Sequence, residues 1–173
     1  MHGRQPTPID SAAENGRPAV GKETSPRPRR QSGVLIVEDD SLVRIMLQAG
    51  LERHGFQVWL AANGREAISL HRQHGEAIAV VLLDVRRPGE DGLQTLESLR
   101  KRGADVVACF TSGDTGAREP DELLRRGARY VFVTPLCLDD MANILRLLAH
   151  GVPANLLPPC TATVRWAREG CAS

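Results

Sequence analysis

From Val34 onward, two kinds of apolar spacing alternate along the chain. Val34-Leu35-Ile36-Val37 is an unbroken apolar run, and Phe56 to Leu60, Ile78 to Leu83, Asp105 to Phe110 and Tyr130 to Val133 read as four more strands. The segments between them carry helical spacing. Leu42, Ile45, Met46 and Ala49 recur at three and four residues behind a cap at Ser41, in a helix ending at Gly55. Asn63 caps a second helix bearing Ala67, Ile68 and His71, and a third carries Leu93, Leu96 and Leu99. A weaker one runs around Glu119 to Arg126, and the last carries Leu138, Met141, Ile144, Leu145 and Leu148. Strands apolar on both faces are buried on both faces, so the pattern predicts a doubly wound α/β fold with a five-stranded parallel sheet. In such sheets, ligands bind beyond the carboxyl ends of the strands.

Those ends carry the polar chemistry. The first strand ends in Glu38-Asp39-Asp40, the third in Asp84, the fourth in Thr111-Ser112 and the fifth in Thr134-Pro135. Neighbouring strands lie ~4.8 Å apart, so these side chains are able to share one small site. Gathered carboxylates repel one another unless a cation neutralises them, and an all-oxygen donor set favours Mg²⁺. A carboxylate beside that ion suits phosphoryl chemistry, with Asp84 as nucleophile and Thr111 as the hydroxyl that steadies the phosphoryl oxygens.

The run Val34 to Arg44, the loop Asp84-Val85-Arg86-Arg87-Pro88-Gly89-Glu90-Asp91-Gly92, the pair Thr111-Ser112, and Gly127-Ala128 leading to Thr134-Pro135 resemble the receiver domain of two-component response regulators. The resemblance spans Gly33 to His150. It implies a flavodoxin-like receiver fold in which Asp39 binds Mg²⁺ directly and Glu38 acts through water. It further implies that Asp84 accepts a phosphoryl group and also binds the ion, that the backbone carbonyl of Arg86 is a third protein ligand, and that Thr111 is the switch hydroxyl. The phosphoryl group would come from a sensor histidine kinase or a phosphotransfer protein. Three positions depart from the family pattern: Thr134 replaces a lysine, Val131 an aromatic residue and Arg87 a methionine. The lysines of the chain are Lys22 and Lys101.

Composition changes this picture little. Among 173 residues, 22 Lys and Arg face 21 Asp and Glu, a net charge of +1 that argues against a nucleic-acid partner. No apolar stretch approaches the ~18 residues that span a bilayer, so a cytoplasmic protein with no membrane contact is expected. Cys109, Cys137, Cys160 and Cys171 lack metal-ligand spacing. Residues 1–32, rich in Pro, Ser and Arg, read as a disordered arm, 33–150 as the receiver unit and 151–173 as a flexible extension with a docked piece around Val164-Arg165-Trp166. His71 and His74 read as solvated, and the lack of a second carboxylate two residues after Asp84 disfavours a dehalogenase-type phosphatase. Glu38-Asp39-Asp40 would repel a dinucleotide pyrophosphate. The expectation is a signalling protein and not a turnover enzyme: a single-domain response regulator acting on an unknown protein target, with a homodimer through the last helix face a further expectation. The alternative is a degenerate receiver serving as a phosphorylation-independent adaptor.

Overall fold

A computed structural model describes residues 32–85, 92–104, 106–113, 120–133, 135 and 137–158. The elements are β1 Gly33–Val37, α1 Ser41–Arg53, β2 Gln57–Ala61, α2 Gly64–His74, β3 Ile78–Asp84, α3 Gly92–Lys101, β4 Val107–Ser112, α4 Pro120–Arg125, β5 Tyr130–Val133 and α5 Leu138–Ala149. All strands pair in parallel in the order β2-β1-β3-β4-β5, the doubly wound arrangement expected. Strand alternation divides the core in two. Ile36, Leu82 and Phe132 point to one face with Leu47, Leu51, Met141 and Leu145 of α1 and α5. Val37, Leu83, Phe110 and Val131 point to the other, against Ala67, Leu93, Leu96, Leu99 and Leu123 of α2, α3 and α4.

Two sequence readings of α1 are corrected. The cap is Asp40, whose carboxylate accepts from the Leu42 and Val43 amides at 2.8 and 3.2 Å, and not Ser41. The face that turns to the core carries Leu47, Gly50 and Leu51, whereas Leu42, Ile45 and Met46 are 77%, 58% and 52% exposed. Beyond α5, a loose extension was expected from Gly151. Residues 151–158 pack instead: Val152 and Leu157 join the α1/α5 core, a 3-10 turn spans Ala154–Leu156, and the Tyr130 hydroxyl donates to the Pro158 carbonyl at 3.0 Å. Residues 1–31 and the stretch around Trp166 lie outside the described residues.

Candidate functional site

Register builds the site. Val37 pairs with Leu83, so Glu38, one step beyond, comes level with Asp84, and Asp84 pairs with Thr111. The Glu38 amide continues the ladder by donating to the Ala61 carbonyl at 3.0 Å. One row across three strand ends therefore carries a glutamate, an aspartate and a threonine. Asp39 follows where the chain turns toward α1. Carboxylate oxygens of Glu38, Asp39 and Asp84 all lie within 4.8 Å of one another.

The three differ in their surroundings. Glu38 is buried, Asp84 half-buried and Asp39 exposed. Burial pushes the Glu38 carboxyl up to about 7, against the opposing pull of the Asp40 amide that donates to Glu38 Oε1 at 3.1 Å. The nearby charge of Asp84, and the hydrogen bond and charge of Asp39, raise it further. This donor set fits a hard divalent cation: its oxygens are close, and its innermost carboxyl, lifted by burial and by two neighbouring acids, is one that a positive charge in the pocket would favour in ionised form.

Other groups hold this arrangement. Arg44 donates from Nη1 to the backbone carbonyls of Glu38 at 2.5 Å and Asp39 at 3.2 Å, fixing the turn that carries the acidic pair. At Gly92, a Cβ would stand 2.5 Å from the Asp84 carbonyl oxygen and 3.0 Å from Phe110 Cε1, so only glycine lets the start of α3 lie against the end of β3. Thr111 is buried; its carbonyl accepts from the Val85 amide at 3.0 Å, and its Oγ1 sits 3.5 Å from the Leu83 carbonyl, a long contact that leaves the hydroxyl weakly held. Sequence reasoning missed Arg44 and Gly92 as positioning residues. Each has a signal in hindsight: a cation one helical turn past an acidic pair, and a glycine opening a helix.

Of the predicted site residues, the structure brings Glu38, Asp39, Asp84 and Thr111 together. Arg86 and Thr134 lie outside the described residues. Val131 faces the α2/α3/α4 core, level with Phe110, and Tyr130 faces the opposite one, as alternation required; the residue level with Thr111 on β5 is Phe132, on the α1/α5 side. Lys101 ends α3 while Gly92 begins it, putting its backbone about 14 Å from the site at 1.5 Å per residue.

A doubly wound α/β module with an acidic pocket at its strand ends is the class that fold and site define. The response regulator receiver domain model matches residues 34–146, and the chain belongs to that family. It is 40% identical over 126 residues to the transcriptional regulatory protein AruR of Pseudomonas aeruginosa, covering 68% of this chain and 50% of the relative. It is 33% identical over 126 residues to the transcriptional regulatory protein PrrA of Mycobacterium tuberculosis, covering 72% and 50%. The chain thus spans about half the length of these curated relatives. The fold is that of the receiver domain of the Francisella response regulator 1452 (TM-score 0.62, 23% identity, 69% of this chain and 97% of that one). It is also that of the Vibrio cholerae chemotaxis protein CheY4 (TM-score 0.61, 23% identity, 68% and 98%).

The protein is accordingly a receiver of two-component signalling, and receiver domains are signalling modules and not turnover enzymes. The expectation that nucleic acid plays no part gains no support, because the curated relatives are transcriptional regulators. No helix among the described residues is long and apolar enough to cross a membrane.

Proposed function

We propose that the chain is a phospho-switch: Asp84 accepts a phosphoryl group from a phosphohistidine of a sensor kinase or phosphotransfer protein in the cytoplasm. The observation that carries this reading is the meeting of Glu38, Asp39 and Asp84 within 4.8 Å, level with Thr111. In the transfer, an Asp84 carboxylate oxygen forms a bond to phosphorus while the phosphorus–nitrogen bond breaks, and the imidazole leaves with that electron pair. The product is an acyl phosphate, which water later returns to carboxylate and phosphate.

Glu38, Asp39, Asp84 and the backbone carbonyl of Arg86 are the groups that would hold Mg²⁺, whose charge would offset that of the incoming phosphoryl oxygens. The chain's own residues do the rest. Arg44 holds the acidic turn, Gly92 lets Asp84 keep its place, and the Thr111 hydroxyl is free to turn toward a phosphoryl oxygen. At the position of the family's lysine, Thr134 offers one neutral donor in place of a charge, which weakens the hold on the phosphorylated state.

The donor protein docks on α1. Leu42, Ile45 and Met46 make an exposed apolar stripe that starts two residues after the Asp40 cap, beside the pocket mouth. A partner that delivers an imidazole to Asp84 must cover this rim. The downstream contact is a protein reading the α4, β5 and α5 face, where Leu124 and Leu147 are exposed; a homodimer would use the same face.

Thr134 itself favours the second reading, a receiver read without phosphorylation. Incubation with Mg²⁺ and a small phosphodonor such as phosphoramidate, followed by intact mass measurement, separates the two. The phospho-switch requires a gain of one phosphoryl group that Asp84→Asn abolishes. No gain at any donor concentration leaves the adaptor.

A further inference from the structure

The α2 and α3 helices leave a groove that the phospho-switch does not use. Two contiguous cavities of about 460 and 320 Å³ share Arg65, Ile68 and Arg102 as lining residues. Their sizes fall in the ~300–1,000 Å³ range of small-molecule sites. The α2 side includes Arg65, Ile68, Ser69 and Arg72, spaced three, four and seven residues apart and so on one helical face, with Gly64 and His71 beside them. A face turned toward a neighbouring helix is ordinarily apolar. Here it is built from two guanidiniums, a hydroxyl and a single isoleucine, and Arg102 closes the groove from the far end of α3.

Three features give the groove its chemistry. The first is unpaired cationic charge. Among the described residues, the side chains of Arg65, Arg72 and Arg102 have no hydrogen-bond or ion-pair partner, whereas Arg44, Arg100, Arg126 and Arg146 all do. Among the described residues, no carboxylate lines either cavity. Several guanidinium forks around one concavity match a dianionic phosphate better than a single carboxylate. The second is an apolar floor of Ile68, Leu99 and Ala104 beside His71, whose partly buried ring is held by desolvation below the usual histidine range and so presents a neutral flat face. The third is a set of hydroxyls. Ser69 accepts from Gln73 Nε2 at 3.3 Å, leaving its own proton to donate, and Thr95 and Ser98 line the smaller cavity.

We propose that the α2/α3 groove is a second ligand site, taking a small phosphomonoester that carries a flat apolar ring, the chemistry of a nucleoside monophosphate. The phosphate sits among Arg65, Arg72 and Arg102, and the ring lies on Ile68, Leu99 and His71. The acidic pocket cannot be confused with it, because that pocket repels an anion when no divalent cation is bound.

The test is calorimetry on the full chain in EDTA, with adenosine 5′-monophosphate as probe. Inorganic phosphate, adenosine and a short single-stranded oligonucleotide serve as comparisons. Expected are saturable binding of the monophosphate and binding at least tenfold weaker for phosphate and adenosine. Arg72→Ala and Arg102→Ala, both exposed positions, should each weaken binding about tenfold or more with an unchanged circular dichroism spectrum, while Asp84→Asn leaves it intact. Amide shifts on titration should centre on Ile68, Ser69 and Ser98. The proposal is overturned by absence of saturable monophosphate binding, by arginine variants that bind as wild type, or by shifts centred on Asp84. Phosphate alone binding as tightly would reduce the groove to a bare anion site. Tighter, steeply salt-dependent binding of the oligonucleotide would make it a nucleic-acid surface; either result also overturns the proposal.

Discussion

Replacing Glu38 by glutamine tests whether the acidic pocket is built for a cation. The folded chain holds this carboxyl at about 7, against an ordinary value of 4.5. Between those values the folded state keeps a proton that the unfolded state has released, so rising pH lowers stability. At ~1.4 kcal/mol per pH unit the full shift corresponds to about 3 kcal/mol, and the open side of the pocket at exposed Asp39 screens this to about 2. Glutamine keeps an acceptor for the Asp40 amide and a donor for Asp39 but cannot ionise. In EDTA, Glu38→Gln should therefore match wild type near pH 4 and exceed it by about 2 kcal/mol near pH 8, as read from urea denaturation. Mg²⁺ should reverse the order at pH 8: an ion at a hundred times its Kd adds ~2.7 kcal/mol to the wild type, and the variant gains much less. The same ion should help the wild type less at pH 5, where Glu38 is protonated. A variant no more stable than wild type at pH 8 without metal, or one that gains equally from Mg²⁺, would refute the electrostatic account of the pocket.

Further outcomes follow from the same geometry. Thr134→Lys should lengthen the lifetime of the phosphorylated protein, followed by intact mass after removal of the phosphodonor; an unchanged lifetime would mean that charge at this position does not limit it. Gly92→Ala should cost about 1–3 kcal/mol in thermal denaturation and weaken Mg²⁺ binding, because the new Cβ meets the Asp84 backbone and not a yielding side chain. Leu42→Glu with Ile45→Glu should impair phosphorylation by a histidine kinase while leaving labelling by phosphoramidate unchanged. Equal loss with both donors would place the defect in the pocket, and no loss with either would remove α1 from the docking surface.

The sheet was legible because β1, β3, β4 and β5 are buried almost throughout and edge strand β2 partly so, which leaves continuous apolar runs with little competing interpretation. The site was legible in part for the same reason: once the strand ends were located, Glu38, Asp84 and Thr111 had to lie at one edge. The orientation of α1 was not. Between Leu42 and Leu51 this helix is apolar on nearly every side, so period alone could not say which stripe turns inward. The decisive residue is Arg44, which stands one turn before Leu47 on the half-buried side and spends its guanidinium on the carbonyls of Glu38 and Asp39. A cation on that stripe reads as solvent-facing by composition and faces inward for the sake of the site. Local rules fail where function overrides them. The docking of residues 151–158 escaped for a different reason: Pro153 and Pro158 punctuate the segment as loop, yet Leu157 still finds apolar cover.

That inversion bears on how the molecule meets its partners. If the α1 stripe of Leu42, Ile45 and Met46 served only the fold, burying it would have been the stable arrangement, at ~25 cal/mol per Å² of apolar surface removed from water. Leu47 and Leu51 already fill the core side, and Asp40 and Arg44 hold the helix start against the acidic turn. The remaining apolar surface stands outward, on the helix that begins at the acidic turn. A protein donor must exclude water from that junction to bring its imidazole within bonding distance of Asp84, and an apolar rim makes such a seal favourable where a charged one would oppose it. The same anchoring thus sets both the site and its proposed approach: Arg44 fixes the turn that presents Glu38 and Asp39, and in fixing it leaves the opposite face of α1 outward, as the proposed donor surface.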